Sequence, residues 1–563
     1  MILNDWLQII VYVLALILLT PVLGAYIARV FASERPFSPR PLAWIERMIY
    51  RFCRIDPYLE MGWMGYTKAL LIFNFLGFAA VLLLQLIQPY LPVKPPIQAR
   101  ISIPLAFNTA VSFMTNTNWQ SYAGETTLSY LTQMLGLAVQ NFLSAATGLA
   151  VLLALIRGIK RKSTQAIGNF WTDLVKSTIY VLLPLAIILS VILVSQGVVQ
   201  TFSSGIDATN LEGAKQTIPL GPVASQIAIK QLGTNGGGYF NANSAHPFEN
   251  PTPLSNFLEL LSILLIPAAL AYTYGKMINS KKHGWILFGV MLFVWLLGLG
   301  ISAQSEFGKD PSLGNLTTFE GKETRFGTVN SILWSTATTV ASNGSVNSMH
   351  DSLTPLSGGV AMLNIQLGEI IFGGVGVGLT GMLLFALMTV FLAGLMGGRT
   401  PEYLGKKIEA KEIQMVIVAI LAPSAVILIG AGFASILPVA LSSIANKGPH
   451  GFSEILYAYS SAAGNNGSAF AGLNANTDFY NITLAITMLI GRFAPIIATL
   501  VIAGSLAQKR TLAVSSGTFS TDTFTFAVLL FAVIIIIGAL TFMPALCLGP
   551  IIEHMTMLVG RLF

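Results

Sequence analysis

Apolar residues in this 563-residue chain gather into long runs instead of alternating with polar ones. Ten runs reach the roughly 20 residues that a helix needs to cross about 30 Å of hydrocarbon. They lie near 7–31, 64–90, 130–157, 170–198, 254–275, 283–303, 361–396, 412–438, 479–508 and 524–548. The pattern predicts an all-α polytopic membrane protein of about ten transmembrane helices. Between alternate spans the loops are long, near 91–129, 199–253, 304–360 and 439–478, and each holds a stretch that fits a short helix: 103–114, 222–232, 328–340 and 453–463. None is long enough to cross, so each is expected to enter the membrane and return to the same side. Irregular backbone at that depth is tolerated only where protein buries it or water reaches it. Four such loops around one axis would meet that condition.

The segments that follow these short helices are related. They read Thr115-Asn-Thr-Asn-Trp-Gln120, Gly233-Thr-Asn-Gly-Gly-Gly238, Ala341-Ser-Asn-Gly-Ser-Val346 and Gly464-Asn-Asn-Gly-Ser-Ala469. Aligning Thr117, Asn235, Asn343 and Asn466 gives separations of 118, 108 and 123 residues, the mark of an internal repeat of two helices with a loop between them. A lone Asn-Gly is ordinarily a surface turn; four related tips in series, three of them with Asn-Gly and each behind a short helix, point to a filter. Such a filter replaces the hydration shell of a cation with backbone carbonyls aimed at one axis. Turning consecutive carbonyls the same way requires positive φ, which Gly adopts freely and Asn more readily than most. The C-terminal ends of the short helices would add partial negative charge, and no carboxylate lies within the four tips.

Composition and charge narrow the class. Charged residues make up 10% of the chain and apolar residues 54%, with mean hydropathy +0.71, which excludes an ordinary soluble enzyme. The net charge of +7 is spread in short groups without interleaved aromatics, which argues against nucleic acid. Nineteen Lys and Arg fall in the loops after the odd-numbered spans and nine in the opposite loops and the C-terminus. By the positive-inside rule both termini are expected outside, in a multi-pass arrangement in a cell membrane. Cys53 and Cys547 support neither a disulfide framework nor a metal site, and the five histidines, His246, His283, His350, His450 and His554, are scattered singly without metal spacing. There is no Asp-Lys-Thr-Gly-Thr phosphorylation sequence and no Walker A, and Gly376-Val-Gly-Leu-Thr-Gly381 matches a dinucleotide fingerprint without the strand and βαβ setting it requires. ATP must be handled on another chain.

Over its whole length the sequence resembles the A-subunit family of bacterial Kdp potassium pumps, within the superfamily of potassium transporters that includes Trk, Ktr and HKT. The resemblance rests on Thr115–Tyr122, Gly233–Tyr239, Asn466–Phe470, Gly368-Glu-Ile-Ile-Phe-Gly-Gly-Val-Gly376 and Gly398-Arg-Thr-Pro-Glu-Tyr-Leu-Gly-Lys-Lys407. It implies four potassium-channel-like repeats of helix, pore helix, filter and helix, with one extra helix before and one after. The corresponding divisions are 1–63, 64–162, 163–282, 283–411, 412–510 and 511–563. It also implies a bacterial inner membrane and K+ as the bound ion. The implied partners are a P-type ATPase catalytic subunit, a small single-helix C subunit and a further small membrane subunit. The A subunit of such a pump selects extracellular K+ and passes it through an intramembrane tunnel to the ATPase subunit. Carried over by motif, the filter residues are Asn116, Thr117, Asn118, Thr234, Asn235, Gly236, Ser342, Asn343, Gly344, Asn465, Asn466 and Gly467, with Gln120 at the rim. The first loop lacks glycine, which leaves its register open to a one-residue slip.

Below the tips, the seventh run carries Gly373-Gly-Val-Gly-Val-Gly378, and glycine costs about 1 kcal/mol at each helix-interior position, so a broken helix is expected. The resemblance assigns a gating loop here, including Glu369, Gly373, Gly374 and Gly376; close helix packing through Gly374 and Gly378 is the competing reading. Arg492 falls in the middle of the ninth run, where a charge marks either a pathway or a buried pair, for which Glu369 is the candidate partner. Arg492, with Arg399, is expected to oppose straight-through leakage. A self-contained Trk- or Ktr-like K+ or Na+ channel or transporter is the alternative function. A membrane enzyme or scaffold would leave the fourfold repeat unexplained.

Overall fold

The computed structural model describes residues 1–31, 39–91, 100–203, 205–308, 311, 318–368, 370–398, 400–511 and 519–561. Among them ten helices are long and apolar enough to span a membrane: Leu3–Val30, Trp63–Tyr90, Thr132–Lys160, Phe170–Ser195, Pro253–Met277, Lys281–Glu306, Val377–Met396, Ala410–Ala434, Asp478–Gln508 and Phe524–Leu558. Four of their starts are chemically marked. Asn169, Thr252, Thr477 and Thr523 each accept a hydrogen bond from a first-turn N–H through the side-chain oxygen, satisfying donors that a helix leaves free.

Four short helices stand between paired spans: Ile103–Met114, Val223–Leu232, Gly327–Val340 and Gly448–Ala463. Three match the sequence reading within a residue. The fourth begins earlier because Pro449 sits in its first turn, where a missing N–H costs nothing. Span, short helix, loop and span therefore recur four times, flanked by the first and tenth spans. The four short helices are buried along most of their length, as are the third and fifth spans, so the repeats enclose a common centre. The second, eighth and tenth spans present bare Leu, Ile and Phe outward, among them Ile72, Phe75, Leu421, Phe433, Ile536 and Leu540. Such a belt suits lipid.

The first span packs on the fifth through small residues. A Cβ on Gly24 would stand 2.6 Å from the Ala269 carbonyl, and Thr273 Oγ1 donates to the Gly24 carbonyl at 3.0 Å. On the face opposite the loops, Lys406 donates to the carbonyls of Gly158, at 2.8 Å, Leu506, at 2.5 Å, and Arg161. A residue counted in the sequence only toward topology thus closes the C-terminal ends of the third and ninth spans.

The run expected to break does so. A helix over Pro355–Gln366 ends at a non-helical segment, and the seventh span restarts at Val377. Between them Gly368, Phe372, Gly373 and Gly376 all have positive φ. Gly374 is outside any helix, and Gly378 packs against the Phe372 carbonyl of the same segment. The Gly374–Gly378 helix-packing reading is thereby corrected.

Candidate functional site

The four loop tips share one backbone geometry. Each short helix ends with a residue in the left-handed region, Asn116 (φ 68°), Thr234 (50°), Ser342 (47°) or Asn465 (48°). The N–H of the next residue then reaches back five positions: Thr117 to the Ser112 carbonyl at 2.9 Å, Asn235 to Lys230 at 2.8 Å, Asn343 to Thr338 at 3.1 Å and Asn466 to Ser461 at 2.8 Å. This is the Schellman closure of a helix, which satisfies carbonyls the last turn leaves free. One residue later φ turns positive again, at Asn118 (54°), Gly236 (82°), Gly344 (88°) and Gly467 (97°). The pattern sets the register of the first loop: Asn116-Thr117-Asn118 is the equivalent of Ser342-Asn343-Gly344, with no slip.

The tips meet in cyclic order. A Cβ on Gly236 would lie 2.0 Å from the Asn343 carbonyl oxygen, on Gly344 2.0 Å from that of Asn466, and on Gly467 2.1 Å from that of Thr117. Loop two therefore abuts loop three, three abuts four, and four abuts one, each through a central carbonyl. At three positions glycine is required twice over, by φ and by the neighbour's approach. Side chains complete the ring. Asn116 Nδ2 donates to the Thr234 carbonyl at 2.9 Å, Asn235 Nδ2 to Asn116 Oδ1 at 2.6 Å, Ser342 Oγ to the Gly464 carbonyl at 2.9 Å and Asn465 Nδ2 to Thr117 Oγ1 at 2.9 Å. All twelve residues named from the motifs are thus brought together, and every non-glycine among them is buried.

Above the ring is a vestibule of about 770 Å³, bordered by Asn118, Gly236, Gly344 and Gly467, one residue from each tip. Gln120, half-buried in its wall, bonds the Gly238 backbone through both ends of its amide, at 2.9 and 3.1 Å. Burial pulls His350, also in the wall, down to about 4, so its imidazole is neutral.

Besides the first loop, with Thr117 and Asn118 where the others have Asn and Gly, the ring departs from fourfold symmetry at a residue of loop two that sequence reasoning did not single out. Thr338 Oγ1 and Ser461 Oγ accept from the N–H of Gly344 and Gly467 at 2.8 and 2.9 Å. The equivalent residue of loop two is Lys230, fully buried and paired with the equally buried Glu249 at 2.6 Å. Its Nζ also donates to Asn243 Oδ1 at 2.7 Å, and Asn243 Nδ2 donates to the Gly236 carbonyl at 2.7 Å. The one sequence signal available was a lysine inside an apolar short helix.

Beneath the ring runs the segment that breaks the seventh span. Gly373 N–H donates to the Val340 carbonyl at 2.7 Å and Val375 N–H to Thr234 Oγ1 at 2.9 Å, while a Cβ on Gly376 would strike the Gly148 carbonyl at 2.2 Å. Arg492, buried, donates from Nη2 to the Ser144 carbonyl at 3.2 Å; Ser144 Oγ in turn donates to Asn116 Oδ1 at 2.7 Å. Arg492 is therefore one residue removed from the first tip. Glu369 and Arg399 lie outside the described residues. Beside the fourth tip a cavity of about 80 Å³ lies between the seventh, eighth, ninth and tenth spans, off the axis of the ring. Its lining is mostly apolar, but Gln366 Oε1 and Thr499 Oγ1, both on lining residues, have no hydrogen-bond partner in the protein. One water needs about 10–15 Å³ by this measure, so the cavity has room for several.

Four short helices whose C-terminal tips close into one ring, inside a bundle of ten helices long and apolar enough to span a membrane, have the pore-loop arrangement of membrane proteins. Residues 10–555 match the family model of the potassium-transporting ATPase A subunit, and the chain belongs to that family. A potassium-binding subunit of a potassium-transporting ATPase from Leptospira interrogans is 55% identical over 562 residues, covering 100% of both chains. One from Herpetosiphon aurantiacus is 56% identical over 581 residues, covering 99% of each. Among solved structures, the potassium transporter TrkH from Vibrio parahaemolyticus shares the fold, with a TM-score of 0.53 at 14% identity over 88% of this chain and 98% of that one.

Proposed function

We propose that this chain is the potassium-binding and translocating subunit of an ATP-driven uptake pump in a bacterial cell membrane, with both termini outside. Asn116–Asn118, Thr234–Gly236, Ser342–Gly344 and Asn465–Gly467 form the K+ filter. Ions enter from the vestibule past Gln120 and exchange their water for backbone carbonyls. The observation that carries this reading is the left-handed, central, left-handed backbone repeated in all four tips around one ring. Three-residue tips give fewer stacked sites than a five-residue channel filter and favour high-affinity capture over fast conduction.

Below the filter, the loop around Gly373, Gly374 and Gly376, with Glu369, acts as the gate, and Arg492 with Arg399 opposes straight-through passage of cations by its charge. The off-axis cavity supports delivery to a P-type ATPase catalytic subunit, which would hydrolyse ATP alongside the single-helix C subunit and a further small membrane subunit. Repeat boundaries at 64–162, 163–282, 283–411 and 412–510 belong to the same reading.

Equilibrium K+ titration of the purified protein with its copurifying partners tests the filter. We expect micromolar binding, about 8 kcal/mol; millimolar binding would count against it.

A further inference from the structure

The C-terminal half of the chain spreads Asp351, His450, Glu454 and Glu553 over three elements, and the fold gathers them beside Gly472 in the vestibule wall. His450, in the first turn of the fourth re-entrant helix, faces Asp351 Oδ1 with Nε2 at 3.2 Å and Glu553 Oε1 with Nδ1 at 2.7 Å. Glu454 follows one helical turn later on the same face. Ligand-capable atoms of Asp351, His450 and Glu454 all lie within 4.8 Å of one another. Gly472, which borders the vestibule, keeps that space open: a Cβ there would stand 2.5 Å from Glu454 Oε1 and 2.9 Å from Asp351 Oδ2.

The group is held as a ligand set needs to be. Glu454 is buried and receives the N–H of Ala445 and of Asn446, both at 3.1 Å, and Asn446 Nδ2 at 2.8 Å. Three bonds orient the carboxylate while leaving it acceptor capacity, since a carboxylate has about four lone-pair sites. A histidine that binds a metal through one nitrogen ordinarily gives its other N–H to a carboxylate, which fixes the tautomer. Glu553 on Nδ1 occupies that place, and Nε2, which here pairs with Asp351, would give up its proton on taking the metal.

We propose that Asp351, His450 Nε2 and Glu454 bind a first-row divalent cation such as Zn2+ or Mn2+, with Glu553 orienting the imidazole and water from the vestibule completing the coordination. One imidazole with two carboxylates suits these ions, whereas Mg2+ and Ca2+ prefer all-oxygen sets. An occupied site would join three elements: the third outer loop through Asp351, the fourth re-entrant helix through His450 and Glu454, and the end of the tenth span through Glu553. The site also has a path to the filter. His450 stacks near Phe470 at 5.9 Å, and Phe470 stacks on Tyr457 at 4.3 Å. The Tyr457 hydroxyl meets Ser468 Oγ at 2.8 Å, and Ser468 Oγ donates to Asn466 Oδ1 at 2.5 Å.

The test is a Zn2+ titration by calorimetry of the full chain, stripped with chelator, in K+-free and K+-containing buffer. One Zn2+ per chain is expected, weakened at least about tenfold in His450→Ala and in Glu454→Gln and about tenfold in Glu553→Gln. X-ray absorption at the zinc edge of the wild-type protein should show one imidazole and oxygen neighbours without sulfur. This reading does not depend on any variant folding. No binding by the wild type, undiminished binding by His450→Ala, or a zinc spectrum without imidazole would overturn the site. K+ binding is measured separately, so failure here leaves the filter reading intact, and the converse holds.

Discussion

At the scale of single residues, the ring of loop tips is a problem of backbone handedness. An L-residue with a side chain loses about 1–2 kcal/mol in the left-handed region, and each tip has two such positions. The Asn-Gly steps made the second position legible in three loops. The first was not legible, because Thr234 and Ser342 are poor left-handed residues by local preference. They are held there by neighbours: Thr234 Oγ1 accepts from Val375 N–H, and Ser342 Oγ donates to the Gly464 carbonyl. Gly344→Ala, which would press a methyl onto the Asn466 carbonyl, should weaken Rb+ binding in an equilibrium assay by well over about tenfold. Asn118→Gly, at the one equivalent position that already carries a side chain, should bind Rb+ within about threefold of wild type. Arg492→Gln should raise passive K+ conductance in proteoliposomes without ATP, because it removes the buried cation beside Ser144 and the first tip; an unchanged leak would remove that role.

At the scale of elements, length and hydropathy located most of the spans and short helices to within about five residues, since a bilayer admits few alternatives, but the seventh span, read from 361, begins only at Val377 behind the break, and the tenth runs on to Leu558. Glycine density foretold the break in the seventh span. What remained hidden was polar and tertiary. Lys230 and Lys406 counted in the sequence only as charges outside and inside, yet one is buried against Glu249 behind the second tip and the other closes two helix ends. His450 stood alone in the sequence because, apart from Glu454 one turn on, its carboxylate neighbours Asp351 and Glu553 come from distant elements. A buried pair is costly to break and cheap to replace whole. Lys230→Met alone should therefore destabilise the protein by about 3–5 kcal/mol, and adding Glu249→Leu should recover much of that loss. A fluorescence thermal melt in detergent reads both, and equal melting temperatures for the single and double variants would contradict the pairing argument.

For the whole molecule, the internal repeat made the fourfold arrangement legible, but the off-axis cavity was not, because a void between helices leaves no periodic trace in any one of them. On the proposed function, this cavity is the route by which the chain feeds another subunit. Thr499→Trp should fill the cavity beside the fourth tip, abolishing ATP-driven Rb+ uptake while leaving Rb+ binding within about threefold of wild type. Equal loss of both would place the cavity in the binding site itself.

The most direct test of the central claim is Rb+ uptake into proteoliposomes holding this chain alone and, in parallel, this chain with its copurifying membrane partners and ATP. The account predicts uptake only in the second case. Comparable uptake by the chain alone, without ATP, would make it a complete conductor and contradict its assignment as a pump subunit.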